Sequence, residues 1–225
     1  MKKKYLIKYS FLFKLYLFYF YFKINFLTKK NTYSQFGEDL IILNFFKSFK
    51  GRYVDVGCFH PIKYNNTFLL YQNGWSGINI DLNKTSIDLF NASRKNDTNI
   101  QACLSDVEKD SFIYFDSEFS ALNSINEDNF KNFNLKKIKK IKVKTQIFSN
   151  LVKEKFDFLN IDCEGNDYNI LKTIDLKKFN PKIICIEVSR KNKNFIYKYL
   201  NANHYKLLTI RSLSHIFKYT KKSWK

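Results

Sequence analysis

Apolar residues recur along this chain at two spacings, helical and extended, and the spacings divide it into elements. From Ser34 to Phe49, Leu40, Ile41, Leu43, Phe45 and Phe46 return at helical intervals, with Ser34 where an N-cap would stand. Tyr53 to Val56 is a short apolar strand ending at Gly57, Thr67 to Tyr71 reads as helix, and Gly77 to Ile80 is a second strand ending at Asp81. A polar helix from Asn83 to Arg94, a strand from Asn99 to Leu104, and a hairpin of Phe112 to Phe115 with Ile138 to Lys144 follow. The last part predicts a strand from Phe156 to Ile161, a helix from Tyr168 to Ile174, a strand from Ile183 to Val188, a helix from Phe195 to Leu200 and a strand from Tyr205 to Ile210. Strands and helices taking turns predict an α/β fold whose mostly parallel sheet carries helices on both faces.

Residues 1–31 stand apart from this pattern, and residues 32–225 form the expected catalytic domain. Lys2, Lys3 and Lys4 lead into an aromatic and aliphatic run from Tyr5 to Leu27, closed by Lys29 and Lys30, with no acidic residue. The segment has no Ala or Gly, so a cleaved secretory signal is not expected. It reads as a hydrophobic, basic, membrane-associating segment. A Lys at the centre of a spanning helix costs roughly 2.5 to 3.5 kcal/mol, which makes spanning marginal around Lys14 and lying in the interface easier. The competing reading is an amphipathic helix packed on the domain.

Composition sharpens this in three ways. With 225 residues and 45% hydrophobic content, the chain can fill one sizeable core, not two. The formal charge of +19 raises the question of nucleic acid, but Arg occurs only at positions 52, 94, 190 and 211, and recognition of phosphates and bases leans on the guanidinium fork. No nucleic-acid partner is therefore expected. Cys58, Cys103, Cys163 and Cys185 are far apart and sit in or beside apolar runs, without zinc-site spacing, and so read as reduced thiols of a cytoplasmic protein.

Ligands of open parallel sheets bind beyond the carboxyl ends of the strands, so polar residues that follow apolar strands carry the candidate chemistry. Asp55 and Gly57 end the first strand; the glycine lets backbone pass close to a ligand, and the acid can accept from an amino or amide donor. A single glycine is not the cradle of a dinucleotide binder. Asp81 ends the second strand, where an acid can hold ribose hydroxyls or else cap the helix beginning near Asn83. Asp162 and Glu164 follow the strand Phe158 to Ile161 and suit a metal ion, a general base or the amino group of a ligand. The lysines between Lys131 and Lys144 read as a solvated hairpin edge rather than a phosphate site.

Read together, the strings Tyr33-Ser34-Gln35-Phe36-Gly37-Glu38-Asp39, Val54-Asp55-Val56-Gly57 with His60-Pro61, Asn66-Thr67, Gly74-Trp75 with Gly77, and Asn79-Ile80-Asp81 resemble FkbM-type methyltransferases, as do Asp162-Cys163-Glu164-Gly165, Pro181-Lys182-Ile183 and Glu187. Cys58 and Cys163 depart from the family's pattern. The resemblance implies a Rossmann-like class I methyltransferase fold that uses S-adenosylmethionine to O-methylate a small-molecule or glycan hydroxyl. It implies that Asp55 and Gly57 line the methionine side of the cofactor, that Asp81 meets its ribose, and that His60, Asp162 and Glu164 face the transfer site. His60 is then a general base or a brace of the turn before Pro61; a divalent metal at Asp162 is the rival way to acidify the acceptor. A nicotinamide-dependent dehydrogenase and a non-catalytic, membrane-tethered relative are the competing classes. The expected location is the cytoplasm, with the N-terminal segment at the inner face of the membrane.

Overall fold

A computed structural model describes residues 10–23, 30–115 and 139–221. Helix α1 (Ser10–Phe22) precedes α2 (Glu38–Phe46). There follow β1 (Arg52–Val56), α3 (Phe68–Gln72), β2 (Ser76–Asp81), α4 (Lys84–Ser93), β3 (Thr98–Gln101), β4 (Cys103–Leu104), β5 (Asp110–Phe115) and β6 (Lys139–Gln146). The last part holds α5 (Phe148–Leu151), β7 (Phe158–Ile161), α6 (Asp167–Leu171), α7 (Leu176–Phe179), β8 (Ile183–Glu187), α8 (Lys193–Ala202), β9 (Tyr205–Arg211) and β10 (Ser214–Tyr219).

Seven strands form one sheet in the order β3-β2-β1-β7-β8-β10-β9. The first five strands in that row run parallel, and β10 and then β9 join antiparallel. This is the expected Rossmann-like arrangement. The chain leaves β1 toward β2 and β3 and later returns to β1's other side as β7, so the switch point lies between β1 and β7. Side-chain alternation sorts the core into two layers. Val54, Val56, Leu159, Ile161, Ile184 and Ile186 pack on one face with α5, α6, α7 and α8, while Tyr53, Phe158, Ile183 and Cys185 pack on the other with α2, α3 and Trp75.

Several boundaries differ from the sequence pattern for local reasons. The helix expected from Ser34 begins at Glu38, because Gly37 takes a left-handed φ of 78° and Ser34 Oγ instead bonds Asp39 Oδ1 at 2.8 Å. The strand expected from Asn99 to Leu104 breaks at Ala102, whose N–H turns back to the Asp81 carbonyl; Cys103–Leu104 then joins β6 in a small second sheet with β5. The hairpin strands pair as expected, and much of the Lys131 to Lys144 stretch lies outside the described residues.

The N-terminal segment is described in part. Helix α1 packs against α4, with Phe20 buried in a cluster with Tyr33, Ile62, Phe68 and Leu89. Among the described residues no helix is long and apolar enough to cross a membrane, so the spanning form of the expectation finds no support.

Candidate active site

Strands β1, β2, β7 and β8 are parallel neighbours, so Gly57, Asp81, Asp162 and Glu187 arrive at one edge of the sheet. The turn after β1 is fixed by a close crossing. Gly57 has φ 76°, and a Cβ there would overlap the carbonyl oxygen of Asp162. Gly57 N–H donates to the Ile80 carbonyl (2.9 Å) and Asp162 N–H to the Val56 carbonyl (2.9 Å), which locks three strand ends together. Any side chain at Gly57 would push the Asp162 loop away.

Below this edge runs a polar row within the sheet. In register, Asp55 lies between Asn79 on β2 and Asn160 on β7, and Asn160 neighbours Cys185 on β8. Asp55 is buried and accepts from Asn160 Nδ2 and Thr67 Oγ1, both at 2.8 Å, and from Asn65 Nδ2 at 3.3 Å. Asn66 Nδ2 donates to Asn160 Oδ1 at 2.9 Å. Burial raises the Asp55 pKa, against the pull of those donors and of Arg94. Arg94 is itself wholly buried beneath the loop, where its guanidinium donates to Thr67 Oγ1 (2.7 Å), Asn65 Oδ1 (2.7 Å) and the Pro61 carbonyl (2.6 Å).

A cleft of about 610 Å³, counted out to its open mouth, lies over this row. Its acids are Glu38, Asp55, Asp162 and Glu164; its amides are Gln35, Asn65, Asn66 and Asn160; Gly57, Cys58, Phe59, Tyr64 and Ser214 complete the lining. The structure thus brings together four expected residues, Asp55, Gly57, Asp162 and Glu164. Asp162 reaches solvent through the open cleft, yet the protein packed around it raises its pKa well above the usual value, and Glu187, Glu164, Asp55 and Glu38 add like-charge repulsion. Burial also raises Glu164. Behind them, Asp167 is pushed up to about 7 and Glu187 to about 8, in both cases by burial first and neighbouring carboxylates second. Carboxylate oxygens of Asp162, Asp167 and Glu187 lie within 4.8 Å of one another, a donor set a hard divalent cation would accept. Asp167 already receives the N–H groups of Cys163 (2.8 Å) and Gly165 (3.0 Å), so it also shapes the loop.

Two expected residues lie outside the cleft lining. Asp81 accepts Phe59 N–H (2.8 Å) on one oxygen and Asn83 N–H (2.7 Å) on the other, tying the loops after β1 and β2. Burial raises its pKa to about 6. It does not cap α4; Asn83 does, accepting from Thr85 N–H. His60 is buried, its Nδ1 accepts from the backbone N–H groups of Ile62 and Lys63 (3.1 Å each), and Phe20 packs edge-on against its ring at 5.4 Å. Those contacts are the bracing ones.

Sequence reasoning assigned no role to Gln35, Glu38, Tyr64, Asn65, Asn66 or Asn160, which the structure places on the cleft wall. Asp39 explains how Glu38 gets there. It is buried and gathers Thr32 Oγ1 (2.6 Å), Tyr33 N–H (2.7 Å) and Leu40 N–H (2.9 Å), and so pins the strand of chain that delivers Gln35 and Glu38. The signal for the row was a single polar residue at the centre of each of three apolar strands: Val54-Asp55-Val56, Ile78-Asn79-Ile80 and Leu159-Asn160-Ile161.

Comparison with known proteins agrees with this fold. A crystal structure of the methyltransferase FkbM from Methylobacillus flagellatus KT superposes with a TM-score of 0.55 at 10% identity, over 83% of this chain and 48% of that one. The chain therefore spans about half the length of that relative. A TehB-like SAM-dependent methyltransferase from Corynebacterium glutamicum ATCC 13032 Kitasato follows with a TM-score of 0.46 at 10% identity, over 82% of this chain and 88% of that one. No curated protein sequence matches. The methyltransferase FkbM domain matches residues 55–214, from the buried Asp55 to Ser214 at the cleft, and the chain belongs to that family.

Proposed function

We propose that this chain is an S-adenosylmethionine-dependent methyltransferase acting on a hydroxyl of a sugar or related small molecule. The observation that carries the reading is the carboxylate- and amide-lined cleft at the β1–β7 switch point, built beside one glycine turn. A dinucleotide would need a glycine-rich cradle for its diphosphate, and the donor set here suits an adenosyl and amino-acid ligand without one. When bound, S-adenosylmethionine supplies a methyl group on a sulfonium centre. Asp55 and Gly57 line its methionine side. Asp81 holds its ribose with lone pairs left over from the two backbone bonds it already accepts. Asp162 and Glu164 face the acceptor. Burial and neighbouring carboxylates raise the Asp162 pKa, so its ionised form is a stronger base toward a hydroxyl proton than an ordinary carboxylate, while the walls hold the oxygen in line. His60 serves by holding the Ile62–Lys63 turn. A divalent ion, if one takes part, belongs at Asp162, Asp167 and Glu187. The protein works in the cytoplasm, with residues 1–31 holding it at the inner face of a membrane.

Calorimetry with S-adenosylmethionine and with NAD tests the class: the first should bind and the second should not. Asp162→Asn should lower methyl transfer about 100-fold or more, as for loss of a general base, and far more than it lowers cofactor affinity. Equal loss of rate and affinity would move Asp162 to the cofactor side. Full activity after exhaustive chelation would exclude the metal.

A further inference from the structure

We propose that the outer face of α1 docks flat on an anionic lipid bilayer. Leu12, Tyr16 and Phe20 follow one another at the four-residue spacing of a single helical face, the first two half-buried and Phe20 buried. Phe20 is buried against His60 and Phe68, with Tyr16 and Leu17 packed around the same cluster. A surface helix packed this way normally turns charged residues outward. Here Phe11 and Phe18 are each 72% exposed, and Leu15, Tyr19 and Phe22 are also exposed. These five form a stripe on the side opposite Phe20, and Lys14 and Lys23 border it. An apolar outer face on a helix whose inner face is already seated needs a second apolar medium.

Charge selects which medium. Residues 1–37 carry eight lysines and no acidic residue, so the helix and its flanks would meet an anionic surface without repulsion. Aromatic side chains with bordering lysines are the composition favoured at the headgroup boundary, where rings sit among acyl carbons and ammonium groups reach phosphates. A second copy of this chain would bring the same lysines to face its own.

The inference rests on the membrane attachment proposed above but not on methyl transfer, and the test separates the two. Full-length protein is sedimented with vesicles of phosphatidylcholine alone and of equal parts phosphatidylcholine and phosphatidylglycerol, with S-adenosylmethionine affinity measured on the same preparations. Binding is expected to the anionic vesicles, weakened by high salt. Phe11→Ser with Phe18→Ser should weaken it about tenfold or more while melting temperature and cofactor affinity stay at the wild-type level, because neither ring belongs to the core. Absence of binding to anionic vesicles, or binding indifferent to the double variant, would overturn the proposal. So would a concentration-dependent dimer that the same two substitutions abolish, which would assign the face to a second copy. Intact lipid binding without cofactor binding would leave the docking face standing and remove the methyltransferase reading alone.

Discussion

Glu187 and Asp167 titrate near neutrality because each is crowded by protein and by other carboxylates. In an unfolded chain both titrate at about 4. Between those values the folded protein binds more protons than the unfolded one, so stability is fully present below the ordinary carboxylate range and is lost as pH rises through about 7 and 8. Glu187→Gln removes one charge from the group. The wild-type melting temperature should fall as pH rises toward about 9, by roughly 3 °C for each kcal/mol of repulsion, and the variant should fall less. Toward pH ~4, where Glu187 and Asp167 are protonated in the folded protein and largely so in the unfolded one, the two curves should converge. Parallel curves would show that Glu187 carries no such strain. The same residues mark what a sequence exposes. Asp162 and Glu164 can be read from it, since an acid directly after a buried strand has few structural reasons to be there. Asn160 and Asn79 cannot, because a lone amide within an apolar run gains meaning only when strand register sets it beside Asp55.

At the scale of elements, local pattern locates the parallel strands and most helices, and it fails where distant chain decides. Ser214–Tyr219 has no strong alternation of its own; it is a strand because it slots between β8 and β9, with Ile216 and Phe217 buried. The short α5 and α7 have too few residues to show a period. Arg94 is a sharper case. The sequence places it at the end of a polar helix, where a solvated cation is the default, yet it is wholly buried and faces the rings of Phe68, Tyr71 and Phe90. Its fork ties the end of α4 to Pro61, Asn65 and Thr67, and two of these in turn grip Asp55. Arg94→Met leaves those acceptors buried without their donor and should cost about 3–5 kcal/mol, read as a large drop in melting temperature. Arg94→Lys keeps the charge without the fork. That variant should stay folded at low temperature and bind S-adenosylmethionine more weakly, because the loop bearing Phe59, Tyr64, Asn65 and Asn66 loses its anchor. Wild-type affinity in a folded Arg94→Lys would reduce Arg94 to a packing residue.

Over the whole molecule, charge is distributed against its own total. The chain is formally +19 with only 20 acidic residues, yet four of these line one cleft and two more press against Asp162 from behind. The long-range field repels a cation, whereas the local field at the cleft attracts one, and at contact distance the local field wins because protein walls screen it less than solvent does. S-adenosylmethionine carries a sulfonium and an ammonium against one carboxylate. Methyl transfer needs the sulfonium next to the acceptor oxygen that Asp162 and Glu164 face, so binding brings positive charge within reach of these carboxyls, lowers pKa values that burial had raised, and expels protons. Binding should therefore tighten as pH rises through the range in which the folded protein still holds these protons. Calorimetry in buffers of different ionisation enthalpy should register net proton release at neutral pH. The released fraction should shrink in Glu187→Gln, whose missing charge leaves Asp162 closer to its ordinary value. Affinity independent of pH, with no buffer dependence of the heat, would show that the sulfonium and ammonium lie too far from these acids to be felt, and Asp162 and Glu164 would then serve the acceptor alone.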